Sequence, residues 1–90
     1  MNKDIRFPIS MDWTKDEIVD VVNFFEIVDQ VYSKGAERNT ILTLYNYFKK
    51  VVPSKAEEKQ HFKDYEEQTG QIPYEVIKKA KSSGESIIKV

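Results

Sequence analysis

The residues able to do chemistry are few and scattered. His61 is the single histidine, and the chain has no cysteine. A metal site built on it would have to draw on Glu57, Glu58 or Asp64 at helical spacing. One imidazole with carboxylates on an exposed helix is no specific ligand set, so His61 reads as a solvated surface residue and no cofactor is expected. Asp16 and Asp20 stand four apart, with Asn23 and Glu26 nearby. Paired carboxylates bind Mg²⁺ or move protons when they line a cleft. Asp16, however, falls in the first turn of a helix, where the dipole alone favours an acid. Nucleophilic catalysis would pair a Ser or Thr with His61, and nothing fixes a third member. A phosphate-cradling Gly-rich loop ahead of Lys and Ser/Thr is missing from a chain with three glycines. An enzyme is not expected.

Two binding features remain. Lys49, Lys50, Lys55 and Lys59 crowd the junction of the second and third helices, where free amides could hold an anion or an RNA phosphate. Ser54, Glu57 and Glu58 already cap and neutralise that helix end. Asp64, Glu66 and Glu67 add to the acids that would repel DNA from the third helix, despite a short link resembling a helix-turn-helix. The second feature is an apolar stripe, Phe24, Ile27 and Val31, beside the main stripe of the first helix. Covered, it is core; uncovered, it is a protein interface.

These residues must be placed by helices. Ile5, Phe7 and Ile9 alternate with other positions, and Pro8 disfavours helix at Phe7, so residues 1–13 read as an extended arm. Thr14 and Glu17 form a capping box that opens helix 1, which runs to about Lys34 ahead of Gly35. Its main stripe is Ile18, Val21, Val22, Phe25, Val28 and Tyr32. With the second stripe the apolar arc exceeds half the circumference, so helix 1 must be central, and Phe7, Ile9 and Trp13 of the arm are the expected cover of Phe24, Ile27 and Val31. Helix 2 spans about 37–52, with Ile41, Leu44, Tyr45, Phe48, Val51 and Val52 as its stripe and Pro53 as its stop. Ser54 and Glu57 form a second capping box for helix 3, whose apolar face is thin: Phe62 and Tyr65, with Ala56 and Thr69 beside them. Pro73 opens helix 4, with Val76, Ile77 and Ala80 inward. Residues 82–90 read as a flexible tail.

The stretch Trp13-Thr14-Lys15-Asp16-Glu17-Ile18-Val19-Asp20-Val21-Val22-Asn23-Phe24-Phe25, then Tyr45 through Phe48, then Val52-Pro53-Ser54-Lys55-Ala56-Glu57-Glu58-Lys59-Gln60, resembles the YktA-like family of small uncharacterised bacterial proteins. The resemblance covers residues 7–81. It implies a compact all-α fold and a cytosolic bacterial protein. It implies no activity and carries over no functional residues.

Composition agrees with a single small domain. Hydrophobic residues are 40% and charged residues 32% of 90, which is globular and well solvated. No apolar run approaches the ~20 residues that cross a bilayer, so no membrane association is expected. The net charge of −1 argues against a nucleic-acid binder. The balance is uneven: residues 1–35 carry four basic and seven acidic groups, residues 36–90 ten and eight. The expectation is therefore an all-α, irregular bundle of four helices over residues 14–81, with an N-terminal arm over 1–13 and a flexible tail over 82–90. It should act in the cytoplasm as a non-catalytic interaction or adaptor domain. Its partner would be another protein or a second copy of itself. The alternative is weak anion or RNA binding through the four lysines.

Overall fold

A computed structural model describes residues 12–90. The elements run α1 Lys15–Ser33, β1 Ala36–Glu37, α2 Arg38–Val51, α3 Lys55–Thr69, α4 Pro73–Ser82 and β2 Ile87–Ile88. The architecture is an all-α bundle of four helices carrying one very small antiparallel ribbon, in which Ala36 pairs with Ile88 and Glu37 with Ile87.

Each helix starts and stops for a local reason. Thr14 caps α1 with the full reciprocal box: its hydroxyl accepts from the Glu17 amide at 3.2 Å, and the Glu17 carboxylate accepts from the Thr14 amide at 2.9 Å. At the other end Gly35 adopts φ +92 and its amide reaches back to the Gln30 carbonyl at 2.8 Å. Pro53 ends α2 by removing a donor. Ser54 caps α3, but only by accepting from the Glu57 amide at 3.3 Å. The expected second capping box is thus half made. Gly70 closes α3 in the left-handed conformation, and Pro73 takes the first turn of α4.

The core lies around α1, which packs most extensively on α2 and also on α4. Its heart is aromatic. Phe24 stacks on Phe48 at 5.0 Å and on Phe62 at 5.8 Å, and lies 5.6 Å from Tyr45. Phe25 stacks on Tyr65 at 4.7 Å. Rings from α2 and α3 therefore close over α1, each large ring burying apolar area at favourable offset geometry. Two residues, Phe62 and Tyr65, make up the whole buried face of α3, as its thin stripe requires.

Two readings are corrected. The stripe Phe24, Ile27 and Val31 is buried, so the expectation that it is covered holds and the alternative of an interface is overturned. Its cover includes the α2 and α3 rings over Phe24 and, beside Val31, the C-terminal residues, where the Val90 amide donates to the Val31 carbonyl at 3.3 Å. Phe7 and Ile9, expected to dock there, lie outside the described residues; Trp13 is half-buried and packs on the core. The second correction is the tail. Residues 87–88 are a strand, Ile88 is 1% exposed, and the Arg38 amide donates to the Ser86 carbonyl at 2.7 Å. Burying Ile88 is worth roughly 1.5–3 kcal/mol, which offsets part of the cost of ordering the C-terminal strand.

Candidate functional site

Taken singly, the sequence candidates disperse. His61 is not a solvated surface residue: its Nδ1 is buried without a hydrogen-bond partner, and its ring meets Trp13 edge-on at 5.5 Å. Asp16 is exposed in the first turn of α1 and Asp20 half-exposed one turn on. Among the described residues no three His, Cys, Asp or Glu side chains gather in a way that could hold a metal ion.

The four lysines of the α2–α3 junction do not converge on an open anion site either. The Lys49 ammonium donates to Glu58 Oε1 at 2.5 Å, and the Tyr45 hydroxyl donates to Glu58 Oε2 at 2.9 Å. One carboxylate from α3 already occupies the position a ligand anion would take. Lys50 points away, with its ammonium 5.6 Å from the Tyr47 ring centre, and Lys55 and Lys59 are exposed on α3.

The structure instead assembles a different surface, along the seam between α2 and α4. The Arg38 guanidinium donates through Nε to the Ala80 carbonyl at 2.6 Å, so a cation satisfies one of the free carbonyls at the end of α4. That bond sets the start of α2 against the end of α4. Further along, the Lys81 ammonium sits 5.5 Å from the centre of the Tyr45 ring, a cation–π arrangement. Tyr74 lies close enough to Tyr45 to oppose its ionisation electrostatically. Burial is the larger cause, and together with the bond to Glu58 it pushes the Tyr45 phenol well above its ordinary range.

Tyr74, Lys78 and Lys81 fall at i, i+4 and i+7, one stripe of α4 beside its buried residues Val76, Ile77 and Ala80. Tyr74 is 58% exposed, and Lys78 and Lys81 are exposed. The facing stripe of α2 is Arg38, Leu42, Tyr45 and Lys49, all half-buried. Residues 38–56 contain no acid at all, and Glu75, the one acid of α4, lies roughly 100° round the helix from Tyr74. The sequence signals for this seam were the α4 spacing and the acid-free run; what hid them was that neither helix reveals its neighbour.

A third cluster is internal. The Tyr65 hydroxyl donates to Gln71 Oε1 at 2.9 Å and lies 3.3 Å from the Phe25 carbonyl, while Gln71 Nε2 donates to Asp29 at 2.9 Å. The Ile72 amide donates to the Tyr32 hydroxyl at 3.0 Å. These bonds fasten the α3–α4 link to α1 and so fix where α4 sits.

The profile of an uncharacterised protein family, UPF0223, matches residues 4–89. The chain belongs to that family. It is 44% identical over 85 residues to the UPF0223 protein YktA of Bacillus subtilis, covering 94% of this chain and 97% of that protein. It is likewise 44% identical over 85 residues to the UPF0223 protein OB1419 of Oceanobacillus iheyensis, with the same coverage. It is 46% identical over 85 residues to a UPF0223 protein of Lysinibacillus sphaericus, covering 93% of this chain and 90% of that one. The UPF0223 match passes well beyond Lys81, where the sequence resemblance stopped, and takes in both residues of β2.

Proposed function

We propose that this UPF0223 chain is a non-catalytic protein-binding domain of the bacterial cytosol, and that it binds through the α2–α4 seam. The observation that carries the reading is the run of tyrosine and lysine side chains from two helices on one surface: Tyr45 and Lys49 on α2, Tyr74, Lys78 and Lys81 on α4. Tyrosine supplies large contact area with few rotors to freeze, and it is enriched in protein interfaces. A non-catalytic role is supported by the perturbed phenols. Tyr45 and Tyr65 are both driven to keep their protons, first by burial, which suits hydrogen-bonding anchors and not bases working near neutrality. The bacterial setting is that of the relatives, and a cysteine-free chain is at home in a reducing compartment. No helix among the described residues is long and apolar enough to cross a membrane. Anion or RNA binding at the α2–α3 junction has Glu58 against it.

The test compares capture by the wild-type chain with capture by a Tyr74→Ser, Lys81→Glu double variant and by Asp16→Asn on α1 as the surface control. One protein held by the wild type and by Asp16→Asn, and lost by the seam variant with unchanged circular dichroism, is the expected result. A partner retained by the seam variant would refute the assignment of the face.

A further inference from the structure

We infer that the partner presents an acidic segment to the α2–α4 seam, with carboxylates meeting Lys81 and Lys78 and an apolar side chain lying on Tyr74. This rests on the reading above and names the chemistry of its ligand. The charge argument is local. The chain as a whole carries −1, yet the seam collects Lys78 and Lys81 on exposed positions, with Arg38 and Lys49 beside them. Glu58 is consumed by Lys49 and Tyr45, and Glu75 of α4 borders Lys78 on the side away from Lys81. The net charge of the seam is positive, and a positive face on a weakly acidic protein favours an acidic partner there.

Glu58 is also an internal example of the recognition. A lysine ammonium and a tyrosine hydroxyl grip its two oxygens separately, at 2.5 and 2.9 Å. The seam next to it repeats the same two donor types: the Lys81 ammonium and the exposed Tyr74 hydroxyl. Leu42 and the faces of Tyr45 and Tyr74 add apolar surface between the charges. A nucleic acid fits this less well than a peptide. A phosphate backbone is held by many cations along its length, and the seam exposes only two lysines, Lys78 and Lys81.

The experiment follows backbone amide shifts of the isotope-labelled full chain by NMR. The probes are a short peptide of glutamates around one phenylalanine, its glutamine counterpart, and an oligouridylate of matching charge. The glutamate peptide should shift residues 42–49 and 74–81, more weakly as salt rises. Lys81→Glu should lower its affinity by about tenfold or more, and the glutamine peptide should leave those amides in place. Shifts centred on α1 or α3, equal binding of the glutamine peptide, or binding of oligouridylate alone would each overturn the inference. So would silence from all three probes. Silence together with loss of a captured partner in the seam variant removes the acidic class and leaves the face standing; a partner retained by that variant removes the face itself.

Discussion

The Tyr65 ring is fully buried against Phe25, so its hydroxyl has to find partners inside the protein, and it does so in Gln71 and at the Phe25 carbonyl. Tyr65→Phe keeps the stacking and removes that bond, leaving Gln71 Oε1 without its donor. The expected cost is about 1–2 kcal/mol in urea unfolding at neutral pH. The same residue makes stability depend on alkali. Burial, with smaller contributions from Asp29 and Tyr32, raises its pKa in the folded chain. The folded state then holds the phenolic proton longer than the unfolded state does. The resulting stability is present below the unfolded value, about 10, and is lost as pH climbs past it. The urea midpoint should therefore fall between about pH 9 and 11, and fall less steeply in Tyr65→Phe, with the remaining slope coming in part from Tyr45. Identical slopes would show that Tyr65 is not shielded from water. At this scale the sequence said little. It marked Tyr65 as apolar and His61 as solvated, because a side chain's spacing does not reveal that Trp13 will lean on the imidazole or that Gln71 will meet the phenol.

Helix limits were the most legible feature, since caps are local chemistry. Thr14, Gly35, Pro53, Gly70 and Pro73 each act within a few residues of themselves, and each sits where its chemistry requires. The two serine/threonine caps nevertheless differ in what they hold. Thr14 has both bonds of the box and Ser54 only one, at 3.3 Å. Within the range of roughly 0.5–2 kcal/mol for cap removal, Thr14→Ala should therefore cost more than Ser54→Ala, as read by thermal unfolding. The ribbon was illegible for the opposite reason. Its two strands lie some fifty residues apart and are two residues long, too short for any periodic signal. Ile88→Ala should cost roughly 2–5 kcal/mol, the penalty of a core cavity. Gly35→Ala should also destabilise, because φ is +92 and an added Cβ would stand 3.2 Å from the Ile88 carbonyl oxygen. Near-zero effects from both would mean that the C-terminal residues do not hold to the core.

At the scale of the whole molecule, periodicity told how wide the apolar arc of α1 is but not what covers it. Covering requires knowing that Phe48 and Phe62, from two other helices, converge on Phe24. The sequence therefore left Phe24, Ile27 and Val31 as a possible interface, while the seam that the structure exposes joins Tyr45 to Tyr74 and Lys81 across α2 and α4. The two surfaces make opposite forecasts. A domain of this size is stable by on the order of 5–13 kcal/mol. Phe24→Ala should remove about 3–5 of that, and Phe24→Lys, which adds an unpaired charge among stacked rings, should unfold the chain. Tyr74→Ser with Lys81→Glu should cost about 1 kcal/mol or less, since Tyr74 is largely exposed and an exposed cation–π contact is worth ~0.5–1 kcal/mol. The pair is measured by urea unfolding alongside light scattering. A folded, monomeric Phe24→Lys would mean that the rings of α2 and α3 do not cover α1, and severe destabilisation of the seam variant would mean that Tyr74 and Lys81 serve the fold before any partner.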